Sequence, residues 1–281
     1  MQAGAVFLFA TSLIYAADQP LYVGVLEHSV AQADDRQTSA RPNIRVAFQF
    51  VNGSWSAMPH EAEDLESLAA LQKLFPVHLS WSVALDGKKL GAVESHSLDY
   101  RFYRDVGLHE LTPESKFPTM RDPAKTFVTW MGASRYRPLV VISQPNYGDP
   151  DRWKPFRPTP ALGKQAHAAL RSALGEPAPR YSDSAIYLQP KGYRSSRGDA
   201  LIELRLNKLA HAPDGPAEAW FLIKDAAVYW IGSGLTLVDA GDYDGDGSSE
   251  ILFQKSLYNR DGYLLFHVRD RSKQEFDWSY H

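Results

Sequence analysis

Asp242, Asp244 and Asp246 stand two residues apart within LVDAGDYDGDGSSEILFQ, which runs from Leu237 to Gln254. Between Asp239 and Glu250 there are five acids and no base, in a chain of 281 residues whose formal charge is only −3. Like charges at ~4 Å repel by about 1 kcal/mol in water and by about 4 kcal/mol at an effective dielectric near 20. A folded loop of this composition therefore calls for a cation. The spacing suits Ca²⁺. Carboxylates at loop positions 1, 3 and 5 (Asp242, Asp244, Asp246) converge on one centre, and Gly247 at position 6 permits the sharp turn that brings later donors round. Ser248 at position 7 offers its backbone carbonyl and Glu250 at position 9 a further carboxylate. An all-oxygen donor set favours calcium over zinc or copper, while magnesium prefers to keep several waters. Without a cation the same stretch would be a solvated acidic turn.

Neither an EF-hand nor a dockerin explains the loop. An EF-hand needs a bidentate Glu at position 12, where this chain has Phe253, and both need flanking helix. Here Leu235 to Val238 leads in, and Ile251 to Gln254 leads out, as strand. The segment Gly241-Asp242-Tyr243-Asp244-Gly245-Asp246-Gly247-Ser248-Ser249-Glu250, followed by apolar Ile251-Leu252-Phe253, resembles the FG-GAP repeat of integrin-type β-propellers. That family closes its motif with Asp, so Glu250 is a departure. The resemblance implies a blade-like β unit over 219–281, with Ca²⁺ held between strands in a secreted or surface protein. Only one such loop is present, and a propeller needs four or more blades. Either upstream hairpins such as Trp81 to Ser97 are blades without metal, or the unit is grafted on another β fold.

The elements that must position this loop read as strands. Asn52-Gly53, Asp86-Gly87, Asp214-Gly215 and Asp261-Gly262 each stand beside apolar runs, and such pairs favour two-residue hairpin turns. Two helices are expected. Glu61 to Phe75 spaces Leu65, Leu68, Leu71 and Phe75 along one face before Pro76, and Pro160 to Leu174 is capped by Thr159 and ended by Gly175. The prediction is a mainly β chain of antiparallel sheets, with a propeller-like form among the options and the two helices covering a sheet face or edge. Residues 145–160 hold five prolines beside Tyr147, Trp153 and Phe156. They read either as a ring-bearing ligand loop or as a Pro-stiffened crossover packed on the fold.

Composition bounds the rest. Hydrophobic content of 44% and charge of 22% belong to a globular chain. The near-neutral charge argues against nucleic acid as a partner. Zero cysteines exclude disulfides and thiol chemistry. Gly4 to Ala16 is apolar but too short to span a bilayer, and it reads as a signal peptide over 1–16, with a single β-rich domain from 17 to 281. The histidines form no H-E-x-x-H or H-x-H pair, no G-x-S-x-G elbow or phosphate loop occurs, and Arg197-Gly198-Asp199 reads as a turn. The expectation is therefore a secreted or periplasmic, monomeric calcium-binding protein with no membrane span. Its role would be recognition or scaffolding of an unidentified ligand, without catalysis. An extracellular, glycan-directed hydrolase with structural calcium is the alternative.

Overall fold

The computed structural model describes residues 20–27, 42–116, 120, 127–129, 132–134, 137–174, 188–205 and 218–280. The expected signal peptide, the Asp214-Gly215 turn and the Gly175 terminator lie outside these. In chain order the first strands are β1 (Leu21–Glu27), β2 (Asn43–Val51) and β3 (Ser54–Ala57). Helix α1 (Leu65–Gln72) then precedes β4 (His78–Leu85), β5 (Lys88–Ser97), β6 (Leu108–Leu111), a small hairpin of β7 (Phe127–Thr129) and β8 (Gly132–Ser134), and β9 (Leu139–Ile142). After β10 (Lys154–Phe156) and helix α2 (Pro160–Leu174) come β11 (Leu188–Arg194), β12 (Ala200–Arg205), β13 (Glu218–Lys224) and β14 (Ala227–Ser233). The chain finishes with β15 (Leu235–Gly241), β16 (Glu250–Leu257), β17 (Arg260–His267) and β18 (Lys273–Ser279).

Among the described residues the molecule is mainly β, with three larger antiparallel sheets, the small β7–β8 hairpin and two α-helices. In the first sheet the order β1-β9-β4-β5-β6-β2 returns to β1, so six strands form a ring, with β3 attached to β2. The second sheet runs β10-β11-β12-β13-β14 and the third β15-β16-β17-β18. The third is an up-and-down meander with the strand count of a propeller blade. It begins at Leu235. The unit expected over 219–281 therefore divides, because β13 and β14 pair with β12 rather than with the strands around the acidic loop.

Two turns fall where the residue pairs place them. Asn52 and Gly53 have φ of 52° and 78°, Asp86 and Gly87 of 49° and 72°, the positive pair a tight two-residue hairpin requires. Asp261-Gly262 does not turn. It lies inside β17, and the reversal falls on Tyr258-Asn259, with Asn259 at φ 56°. Helix α1 is shorter than 61–75. Asp64 caps it, accepting from the Ser67 amide at 2.8 Å while the Ser67 hydroxyl takes the Asp64 amide at 2.9 Å. Starting there leaves Leu65 exposed in the first turn, and Leu68, Leu71 and Phe75 enter the core. Helix α2 starts at Pro160 as expected, and Thr159 accepts the Leu162 amide.

The third sheet is a middle layer. Val238, Leu252, Tyr263 and Leu265 join the core of the ring. On its opposite face Leu237, Ile251, Phe253, Leu264 and Phe266 pack with Leu201, Trp220 and Leu222 of the second sheet. The outer face of that second sheet buries Ile202, Leu204 and Phe221 under Ala166 and Leu170 of α2. Alternate residues of one strand thus serve two cores, which is why β16 and β17 carry the unbroken apolar runs Ile251 to Phe253 and Tyr263 to Phe266. No helix of the described residues is long and apolar enough to cross a membrane.

Candidate metal centre

The acidic loop joins β15 to β16 at one end of the middle sheet. Gly245 and Gly247 both have φ of 82°, so the backbone doubles back over its own carboxylates. The Gly245 and Gly247 amides donate to the two oxygens of Asp242 at 2.7 and 2.9 Å. The Asp246 amide donates to Asp244 at 3.0 Å, and the Ser248 amide to Asp246 at 2.7 Å. A carboxylate offers about four lone-pair sites, so one amide bond leaves room for a further partner. One oxygen from each of Asp242, Asp244 and Asp246 lies within 4.8 Å of the others.

Glu250 groups differently. Its carboxylate is fully buried, takes the Tyr243 amide at 2.7 Å on Oε2, and leaves Oε1 without a hydrogen bond. Its close neighbours are Asp244 and His267, with one ligand atom of each of the three within 4.8 Å of the other two. His267 stands directly opposite Glu250 in the β16–β17 register. Its Nε2 is 3.2 Å from Glu250 Oε1 and 3.6 Å from Asp246 Oδ2, and Nδ1 is 2.9 Å from Asp270 Oδ1. Four of the five residues expected as one donor set, Asp242, Asp244, Asp246 and Glu250, thus fall in two overlapping groups that share Asp244, the second completed by His267. Asp239, the fifth acid of the sequence cluster, lies apart. It takes the Asp86 amide at 3.1 Å and faces Arg137 at 3.7 Å.

Burial penalises charge at three of the carboxylates. Desolvation raises the pKa of Asp242, and the nearby Asp246 charge adds to it against the opposing pull of the Gly247 and Gly245 amides. Asp244 moves up for the same first reason. Glu250 is pushed up to about 10, by burial first and then by Asp244 and the other loop acids. Some compensation comes from residues that no local motif reveals. Arg269 reaches Asp246 at 3.0 Å, and Trp55 Nε1 of β3 donates to Asp244 at 3.1 Å. Arg197, in the Arg197-Gly198-Asp199 turn, bonds the Gly247 carbonyl and pairs with Asp151 at 2.6 Å. The carboxylates are thus gathered, desolvated and only partly neutralised, which is chemistry suited to a divalent cation.

The 145–160 segment seats the loop. Gly148 bridges Asp242, Tyr147 stacks on buried Tyr243, and Gln144 bonds the Tyr243 carbonyl at 2.8 Å. Ser249 donates its amide to Asp151 at 2.9 Å and its hydroxyl to Asp149 at 2.8 Å. The other oxygen of Asp149 takes the Trp153 amide at 2.8 Å. The prolines do not exclude strand pairing altogether, since β10, with Pro155, forms the edge of the second sheet, where a missing donor is tolerated. Beyond Asp149 lies a cleft of about 610 Å³, lined among others by Asp86, Arg137, Trp153, Lys154, Tyr193 and Asp239. Compared with known proteins, the chain matches no family model, no curated protein and no solved structure at a significant level.

Proposed function

We propose that this is an exported, secreted or periplasmic protein in which a structural Ca²⁺ on Asp242, Asp244, Asp246, the Ser248 carbonyl and Glu250 stiffens a recognition surface. The C-terminal meander would then be an FG-GAP-like unit. The observation that carries the metal is the convergence of three Asp carboxylates on one turn beside a fully buried Glu250 whose Oε1 has no hydrogen bond. Supporting the recognition role is the short path from loop to cleft. Ser249 holds one oxygen of Asp149 and the Trp153 amide holds the other, so ordering the loop orders a wall of the cleft. Outside the cytosol a site with Kd of ~10⁻⁴ M would be filled. At tenfold excess over Kd, binding adds about 1.4 kcal/mol to stability, or a rise in Tm of ~3 °C. Thermal melting in Ca²⁺ against chelator tests this. The parent should show that rise and Asp242→Ala with Asp244→Ala should lose it; a parent indifferent to Ca²⁺ would remove the assignment.

A glycan-directed hydrolase has one observation in its favour, the cleft that places Asp86, Asp149 and Asp239 near Trp153. Two of these acids face Arg137 and the third is committed to Ser249 and Trp153, which suits binding better than proton transfer. Release of reducing ends from a polysaccharide panel, abolished by Asp149→Asn, would reverse that preference.

A further inference from the structure

We propose that Asp244, Glu250 and His267 form a second cation position, adjoining the three-aspartate centre and suited to a first-row divalent ion such as Mn²⁺ or Zn²⁺. It shares Asp244 and Glu250 with the calcium reading, and His267 is its own; it does not require that reading to hold.

Three observations meet here. The ligand atoms of the three residues lie within 4.8 Å of one another, the span a single ion covers. Glu250 Oε1 and His267 Nε2 are both buried and neither makes a hydrogen bond, although they are 3.2 Å apart. His267 Nδ1 is 2.9 Å from Asp270 Oδ1, so the ring donates Nδ1–H to a carboxylate that accepts it. In a neutral ring this leaves the Nε2 lone pair turned toward Glu250 Oε1 and Asp246 Oδ2. Lone pairs facing one another are repulsive unless a proton or a cation lies among them; Arg269 already reaches Asp246, and burial favours a proton on Glu250 that a divalent ion would displace. An imidazolium would supply that charge by donating Nε2–H to Glu250, but the geometry of such a bond is not met. A metal ion needs no such alignment of a proton.

The donor types choose the metal. Calcium takes oxygen almost alone, whereas one imidazole nitrogen with two carboxylates suits Mn²⁺, Fe²⁺ or Zn²⁺. The Asp270–His267 bond supplies the outer carboxylate that orients a ligating histidine and strengthens its nitrogen as a donor. Neighbouring strands hold Glu250 and His267 in register, so this pair rests on rigid backbone rather than on a loop.

Untagged protein stripped with chelator and returned to saturating Ca²⁺ is titrated with ZnCl₂ by calorimetry and with MnCl₂ by electron paramagnetic resonance. One strong site is expected for at least one of the two ions. His267→Gln should weaken it at least tenfold while leaving the Ca²⁺-dependent rise in melting temperature unchanged, and Asp270→Asn should weaken it about tenfold. Circular dichroism checks that each variant is folded, and Asp270→Asn serves if His267→Gln is not. The inference is overturned if neither ion binds the parent, or if binding is as strong in both variants, which would place the ion elsewhere. Zn²⁺ or Mn²⁺ binding that depends on His267, in a protein with no calcium response, would uphold this position and remove the calcium reading alone.

Discussion

Glu250 shows at the scale of one residue what burial does to a carboxylate placed beside other acids. Its carboxylate is fully buried beside Asp244, so the charged form is disfavoured, and only the Tyr243 amide answers it. Glu250→Gln should therefore raise, or leave unchanged, the melting temperature in chelator, yet abolish most of the rise that a divalent ion produces; melting curves in both conditions check this. His109 is the opposite case. It is fully buried against Ser95 at 3.1 Å, and desolvation, followed by the charges of His96 and His78, lowers its pKa to about 4. The unfolded chain binds a proton near pH 6.5 and the folded one only near 4, so His109 favours the fold above pH 6.5. That contribution is lost as pH falls from 6.5 to 4, at a cost of about 3 kcal/mol. Urea midpoints across this range should drop with acid in the parent and drop less in His109→Gln, provided the variant folds.

At the scale of elements, backbone chemistry was legible and pairing at a distance was not. Asn52-Gly53 and Asp86-Gly87 announce their turns because few residues accept positive φ twice in succession. The acidic loop is equally local, and Asp242, Asp244 and Asp246 converge as their spacing requires. Asp261-Gly262 carries the same signal and misleads, because strand pairing overrides it. Asp261 is buried and bonded to Ser256, and a Cβ on Gly262 would lie 2.3 Å from the Phe276 carbonyl. A turn at Asp261-Gly262 would set Lys273 opposite Glu250, whereas the Tyr258-Asn259 turn sets His267 there, so one misplaced reversal hid a candidate ligand. Trp55 and Asp149 were hidden for a different reason, since they reach the loop from other sheets and segments. The two kinds of position respond differently to substitution. Gly262→Ala should cost about 1–3 kcal/mol through forced backbone displacement, and Asn259→Gly should cost nothing or stabilise slightly by relieving positive φ. Denaturant midpoints of the two variants, compared with the parent, decide it.

For the whole molecule the middle sheet is decisive. One face of β15–β18 completes the core of the ring and the other completes the core of the second sheet, so neither neighbour is finished without it. Thermal unfolding of the described layers should be one transition, with calorimetric and van't Hoff enthalpies equal. Leu252→Ala, which empties the ring side, should lower the same transition as Phe253→Ala, which empties the other side, each by about 2–5 kcal/mol. Two separate transitions in the scanning calorimeter would contradict this. The ring has its own kinetic signature. Strand β1 lies between β2, close behind it in the chain, and β9, which follows more than a hundred residues later. The seam cannot be sewn until Leu139–Ile142 has left the ribosome, and the loop entropy of so distant a pairing slows it. Until then, one flank of β1 stays open to any passing strand, and that interval is the chain's period of greatest exposure to misassembly.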